Sequence, residues 1–284
     1  MNRFTFNKQF MVLMFLLLNC FAGYAANEDL ITKQITLKLT EAGTLPNKIA
    51  SSRKDLITNL KIIGEINGTD LRFIREMAGK DRFGSSTSGN LSVLDLSEAR
   101  IVEGGYTYYD DVHNRQQYET HNDEIGSYSF YGCKSLTSIK IPYSVTHIGH
   151  YAFYGCSSLT SVNIPSSVIY IIERGAKDCN SLRSIYIYAK DTPDTQNDAF
   201  EGCDSKNCTV YVPNGTYDAY LASEFGYFKN IVEFDATSIH NTVATPEAQE
   251  TARYAVNGQK LTAPIKGINL VKYSDGTVKK EFVK

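Results

Sequence analysis

The chain contains one segment written twice, and that constrains its fold more than any other feature. Ile125 to Pro142 reads IGSYSFYGCKSLTSIKIP, and Ile148 to Pro165 reads IGHYAFYGCSSLTSVNIP, a period of 23 residues. A unit this short cannot enclose its own apolar side chains, so it must bury them against the copies on either side. A strictly periodic chain of this kind is expected to stack as coils along one axis.

The apolar positions of the copy fall at n, n+3 and n+5, the Leu-x-x-Ile-x-Ile spacing of a leucine-rich solenoid. The same spacing recurs at Ile57-Leu60-Ile62, Leu91-Leu94-Leu96, Leu136-Ile139-Ile141, Leu159-Val162-Ile164 and Leu182-Ile185-Ile187, with a sixth rung at Val210 and Val212. The predicted fold is therefore an α/β solenoid of the leucine-rich repeat class. It has a curved parallel sheet, short helices or turns on the convex side, and a small C-terminal β appendage.

Within a coil, Gly132 and Gly155 supply backbone freedom at the bend, and Pro142 and Pro165 stop the strand. The third coil departs from the pattern, with Gly175-Ala176-Lys177-Asp178 in place of Ala-Phe-x-Gly and Tyr188 in place of Pro.

The rungs divide the chain. Residues 26–54 read as an N-terminal cap, in which Leu30 to Leu39 alternates as a strand or capping hairpin. Residues 55–213 form the solenoid. Between its first two rungs, Thr69 or Asp70 is placed to cap a short helix with Leu71, Ile74, Met77 and Ala78 on one face and Gly79 at its end. Between the next two, residues 103–124 form an insertion without apolar period, read as an exposed loop. Residues 214–234 carry Tyr217, Tyr220, Leu221, Phe225, Phe228, Ile231 and Phe234, a set suited to closing the core.

Residues 235–250 read as a linker, and 251–284 as a β tail of three strand-like runs with Asn257-Gly258 and Asp275-Gly276 as turn signals.

Residues 1–25 have the layout of an export signal: Arg3 and Lys8, an apolar run from Phe10 to Leu18, and Gly23-Tyr24-Ala25 at the expected cleavage site. The run is too short for a bilayer span, so the mature chain is expected to have no transmembrane span. Leu17-Leu18-Asn19-Cys20 offers acylation of Cys20 as an alternative, although Asn19 stands where a lipobox has Gly, Ala or Ser.

Export permits disulfides, yet Cys133, Cys156 and Cys179 repeat with the period and read as buried free thiols in one structural slot. Cys203 and Cys208 are the one pair spaced for a disulfide.

A net charge of −2 gives no electrostatic pull toward nucleic acid, which is excluded as a partner. No nucleophile elbow, Walker loop, zincin helix or dinucleotide fingerprint is present, so neither an enzyme nor a cofactor is expected. His113 and His121 lie near Asp110, Asp111 and Asp123, and His147 lies near His150; these read as solvated residues, not a metal site.

In a solenoid of this class, the residues between the inward ones stand in columns on the concave face. One column reads Asn59, Val93, Ser138, Ser161, Ser184, Thr209. The other reads Lys61, Asp95, Lys140, Asn163, Tyr186, Tyr211 and is the candidate binding surface. Tyr106, Tyr108 and Tyr109, in the insertion, are candidate contacts as well.

The repeat Ala-Phe-x-Gly-Cys-x-x-Leu-x-Ser-Ile-x-Ile-Pro-x-Ser-Val resembles the BspA-like family of bacterial leucine-rich repeat proteins, over 125–170 in detail, over 171–213 less closely, and over 55–100 by pattern alone. The resemblance implies an exported protein at the cell surface or outer membrane, or released, that binds a protein of the host matrix or of a neighbouring cell. It implies no catalytic residue. The tail, with Asn257-Gly258-Gln259-Lys260, Lys266-Gly267-Ile268 and a Lys-rich terminal strand, resembles the C-terminal sorting modules of type IX-secreted proteins. A glycan-binding surface module is the alternative, against which the absence of Trp counts, and a structural envelope protein without a soluble ligand is the third reading.

Overall fold

The inward positions of the six rungs form one parallel ladder. The computed structural model describes residues 29–196, 198–236, 250–255, 259–261, 263–273 and 278–283. The expected signal segment with Cys20, most of the expected linker, and both Gly-containing turn signals of the tail lie outside the described residues. The chain divides into two units, Met1–Phe234 and Asp235–Lys284.

In the first unit the main sheet runs in the order β1 (Ile35–Lys38), β2 (Asn59–Ile66), β3 (Val93–Asp95), β8 (Ser138–Lys140), β10 (Ser161–Ile164), β12 (Ser184–Ile187), β14 (Thr209–Pro213) and β15 (Asn230–Phe234), with β4 (Ala99–Ile101) also pairing with β2. All of these pairings are parallel. Leu60, Leu94, Ile139, Val162, Ile185 and Val210 are register partners along it. All the predicted rung residues are buried. Each coil thus removes three aliphatic side chains from water, a transfer term of roughly 5–9 kcal/mol that exists only while the neighbouring coils are in place.

Register is reinforced by a ladder of hydroxyls just before the strands. Thr58 Oγ1 donates to the Ile31 carbonyl (3.1 Å), Ser92 Oγ to Thr58 (3.0 Å), Thr137 Oγ1 to Ser92 (3.0 Å) and Thr160 Oγ1 to Thr137 (2.9 Å).

A second, narrow parallel sheet joins β13 (Asp194–Thr195), β11 (Tyr170–Ile171), β9 (His147–Ile148) and β7 (Glu124–Ile125). Its strands are two residues long, too short to leave a periodic signal. Helices are few. Helix α1 (Leu45–Lys48) and helix α2 (Gly68–Met77) flank the first coils. Leu71, Ile74, Met77 and Ala78 face the core as the spacing predicted.

The cap of α2 is Asn67, not Thr69 or Asp70. Asp70 completes a capping box by accepting from the Asn67 N–H (3.0 Å), and it also accepts from Gly43 N (2.5 Å) and Leu45 N (2.8 Å). One buried carboxylate therefore ties α2 to the N-terminal segment.

At the far end, helix α3 (Tyr217–Leu221) and the turn Glu224–Tyr227 bury Tyr220, Phe225 and Phe228, while Tyr217 and Leu221 stay exposed.

The insertion is the main departure from expectation. It forms an antiparallel hairpin, β5 (Gly104–Asp111) and β6 (Gln116–Thr120), not a loop. It packs on α2, where a Cβ at Gly68 would stand 2.2 Å from the Tyr106 carbonyl.

The second unit is an antiparallel sheet in the order β17 (Lys260–Leu261), β16 (Glu250–Ala255), β18 (Gly267–Tyr273), β19 (Val278–Val283). Strand β16 starts in what reads as linker and, with β17, divides the first predicted run. Val271 is buried, and so is Asn269, whose Nδ2 donates to the Ile265 (2.6 Å) and Gly267 (3.0 Å) carbonyls.

Candidate functional site

Alternation along each strand turns every second side chain away from the core, and parallel register lines those side chains up. Both predicted columns form in register: Asn59, Val93, Ser138, Ser161, Ser184, Thr209, and Lys61, Asp95, Lys140, Asn163, Tyr186, Tyr211.

The second column has two chemically different ends. At its first end the charges are already matched. Lys140 Nζ donates to Asp95 Oδ2 at 2.7 Å, and Asp95 Oδ1 accepts from Ser97 N (3.0 Å) and Ser97 Oγ (2.6 Å). Burial by itself pushes the Asp95 carboxyl up, but the bonds from Lys140 and Ser97 outweigh it and hold the group below the usual carboxylate range. Lys61 Nζ donates to Glu98 Oε1 at 2.5 Å, and that bond raises the lysine. Asp95 is only 3% exposed, so it is corrected from a contact residue to the anchor that positions Lys140.

The other end is aromatic. The Tyr186 and Tyr211 rings stack at 4.5 Å and 7°. Phe234 meets Tyr186 edge-on at 6.3 Å and 89°, and Tyr188 at 5.5 Å and 84°. Asn163 Nδ2 donates to the Tyr188 hydroxyl at 3.1 Å. Burial raises the phenols of Tyr186 and Tyr188, which keeps them protonated donors. Val232, beside Tyr211 in the column, is exposed, and so is Tyr143, which acts electrostatically on both Lys61 and Tyr188. Sequence reading missed Tyr188 and Phe234 on this face, although each lies two residues beyond a column position and the strand period places them there.

The hairpin separates the three insertion tyrosines. Tyr106 is 70% exposed. Tyr108 is 1% exposed and Tyr109 8%, and both are corrected from contact residues to core. The Tyr108 hydroxyl donates to the Ser127 carbonyl at 2.7 Å, and Tyr109 stacks on Tyr128 at 4.8 Å. The acidic residues near the histidines are engaged in local structure. Asp110 lies 3.2 Å from Arg82, Asp123 pairs with Arg100 at 3.1 Å, and Asp111 accepts from His113 N and Asn114 N at the hairpin turn. Among the described residues, no group of three or more His, Cys, Asp or Glu is placed to hold a metal ion.

Residues 104–244 match the BspA type Leucine rich repeat region in six copies. Over that span the coils are similar to BspA-type leucine-rich repeats. The matched span covers the insertion, the doubled segment and the C-terminal cap; the earlier rungs at 57–62 and 91–96 lie outside it. Among solved structures, the chain is similar to a leucine-rich repeat protein from Bacteroides ovatus ATCC 8483, at 19% identity and a TM-score of 0.35, over 72% of this chain and 54% of that one, so it spans about half of that protein's length. A comparison with curated proteins finds no match. Among the described residues, no helix is long and apolar enough to cross a membrane.

Within these coils the cysteine slot is structural. Cys156 Sγ donates to the Phe130 carbonyl (3.0 Å), Cys179 to Phe153 (3.2 Å) and Cys203 to Ala176 (3.2 Å), each reaching one coil back. Cys203 therefore belongs to this ladder and not to a pair with Cys208; both are free and buried.

On the side away from the main sheet, the repeats carry a tyrosine cluster that sequence reading passed over. Tyr128 and Tyr151 lie 5.1 Å apart, Tyr131 stacks on Tyr154 at 5.4 Å, and Tyr118 joins from the hairpin at 4.8 Å from Tyr128. The period of 23 at these tyrosines was the available signal.

Proposed function

We propose that this chain is an exported surface protein that binds a protein partner through the solvent face of its main sheet. Catalysis has no part in this reading. The observation that carries it is the aromatic end of the column: Tyr186, Tyr188, Tyr211 and Phe234 sit half-buried on a sheet face, with Val232 and Tyr143 exposed beside them. Half-buried aromatic residues grouped on a rigid scaffold are what protein interfaces use as anchors. Solenoid repeats commonly present such a face to partners. Tyr106, at the hairpin, supplies a second contact.

Adhesion to a host matrix or neighbouring-cell protein is the form of binding proposed, with the C-terminal unit serving secretion or anchoring. Two experiments test this. Full-length chain is applied to immobilised matrix proteins: binding lost in Tyr186→Ala with Tyr211→Ala, and retained when only Lys134 is changed, supports the face; binding indifferent to the tyrosine pair rejects it. Cell fractionation with and without residues 251–284 tests the tail, and unchanged surface display of the shortened chain rejects the sorting role.

A further inference from the structure

We propose that the bend of the fourth coil, Ala199-Phe200-Glu201-Gly202-Cys203, receives an extended, basic segment of a partner polypeptide, whose main-chain carbonyls accept from Phe200 N and Gly202 N. This site is distinct from the tyrosine face of the main sheet and does not rest on the reading of that face.

Three preceding coils define what such a bend holds. Phe130 N and Gly132 N donate to the Ala152 and Tyr154 carbonyls of the next coil (2.7 and 2.8 Å), Phe153 N and Gly155 N to Gly175 and Lys177 (2.7 and 3.0 Å), and Ala176 N and Asp178 N to Ala199 and Glu201 (2.8 Å each). Each time, two amides two residues apart meet two carbonyls two residues apart. Phe200 and Gly202 hold the same places in the fourth coil. Its bend keeps the shape of the others. Gly202 has φ +80° against +66° at Gly132 and +67° at Gly155, Cys203 N donates to the Phe200 carbonyl as Cys133 N does to Phe130, and Cys203 Sγ stays in the thiol ladder. The two amides are therefore aimed where a fifth coil would lie. Among the described residues neither has a partner, and an amide left in that state favours any acceptor that reaches it.

The C-terminal cap seals the apolar side of this coil and leaves the ladder open. Phe225 and Phe228 pack on the Phe200 ring at 5.2 and 5.3 Å, and the Tyr227 hydroxyl donates to the Cys203 carbonyl at 3.0 Å. Between coil and cap lies a cleft of about 160 Å³, lined by Asp198, Phe200 and Glu201 on one side and by Glu224 and Tyr227 on the other. It is smaller than the roughly 300–1,000 Å³ of small-molecule sites and suits a short stretch of main chain. Two bare amides would also suit an anion, but the carboxylates of Asp198, Glu201 and Glu224 repel one. Asp198 and Glu201 pair with Arg174 and Lys177 of the preceding coil, whereas Glu224 enters no ion pair among the described residues. A neutral carbonyl beside a cation is the chemistry that fits. An extended polypeptide provides both, with carbonyls of alternate residues on one side and a Lys or Arg side chain for Glu224. The third coil shows the pattern, since Gly175-Ala176-Lys177 fills the second coil's slot while Arg174 and Lys177 meet carboxylates.

The test uses the isotope-labelled full chain and an end-blocked, fluorophore-labelled peptide, Ala-Arg-Gly-Ala-Lys-Ala, with Ala-Glu-Gly-Ala-Glu-Ala as the acidic control. Anisotropy is expected to show saturable binding of the basic peptide alone. At saturation, the Phe200 and Gly202 amides should exchange with solvent at least about tenfold more slowly by NMR, while those of Phe153 and Gly155, already bonded, do not change. Glu224→Lys reverses a charge at the cleft without altering the contacts of Phe225 and Phe228, and it should weaken binding about fivefold. Any of four results overturns the proposal: no binding of the basic peptide, equal binding of the acidic one, Phe200 and Gly202 amides already protected in the unliganded chain, or binding that leaves either those amides or the Glu224→Lys variant unaffected.

Discussion

Asp178 stands at φ +60° in the bend that Gly155 occupies at φ +67° one coil earlier. The third coil thus keeps the left-handed geometry of the repeat although its residue has a Cβ. The Asp178 carboxylate acts on the Tyr154 hydroxyl and raises that phenol. It also fills the space where a Cβ at Gly202 would stand, 2.2 Å from Asp178 Oδ1. Both Asp178→Gly and Asp178→Ala lose the carboxylate, but only alanine must hold a left-handed backbone with a Cβ. The glycine variant is expected to be the more stable of the two by about 1 kcal/mol. Urea midpoints of the pair measure this, and equal midpoints reject it.

Arg75 joins three parts of the first unit. It is fully buried on α2, its Nη1 donates to the carbonyls of Tyr128 (2.6 Å) and Ser129 (3.0 Å), its Nη2 donates to Asp81 (3.2 Å), and its guanidinium lies 5.0 Å from the centre of the Tyr109 ring. Arg75→Met keeps much of the volume but strips the Ser129 carbonyl of its donor and leaves the Tyr128 and Asp81 carbonyls only their backbone donors, Tyr131 N and Gly84 N, an expected loss of about 2–4 kcal/mol. Arg75→Lys restores the charge but not the fork, so it should recover less than half of that loss in chemical denaturation. Full recovery by lysine would show that the charge alone matters.

The Asp95 carboxyl sets an acid limit. Its value in the folded chain lies below the ordinary one because the bonds from Lys140 and Ser97 prevail over burial. A group lowered on folding contributes stability that is fully present above its unfolded value, near about 4, and disappears as pH falls through the folded value. Unfolding free energy measured between about pH 5 and pH 2 should therefore fall less steeply in Asp95→Asn than in the unaltered chain. Parallel curves over that window would remove Asp95 from the account.

The five described cysteines are all buried and free. Burial raises the Cys156 thiol well above its ordinary value and pushes Cys208 up to about 12; for Cys179 the bond with Cys203 leads and burial adds to it. Because the thiolate is the reactive form, these thiols should resist iodoacetamide in the native chain at neutral pH. All five should alkylate in denaturant without any reductant. Cys203 and Cys208 remaining unmodified there would demonstrate a bridge.

The scaffold was legible because its signals are periodic. The six rungs and both columns follow from a spacing that any parallel coil must reproduce at each turn, so a residue's place in the repeat sets both its partners and its face. The insertion was misread for the converse reason. Tyr108 and Tyr109 sit in a hairpin that occurs once, and nothing local distinguishes a tyrosine that seals α2 from one such as Tyr106 that meets solvent. The short strands Glu124–Ile125, His147–Ile148, Tyr170–Ile171 and Asp194–Thr195 were invisible because two residues carry no alternation. Asp70 holding Gly43 and Leu45, and Arg75 reaching Tyr128, depend on contacts 25 to 54 residues away along the chain.

By itself, the sequence determined the class of fold, the coil period, the identity of the buried rungs and the order of side chains along the sheet face, since each is a property of one repeated unit. Tertiary structure decided which of those side chains remain available. It buried Asp95 beneath Lys140, withdrew Tyr108 and Tyr109 into the core, and brought Tyr188 and Phe234 beside the Tyr186–Tyr211 stack. Exposure is fixed by what packs on top of a residue, and that covering comes from segments whose distance in sequence leaves no local trace.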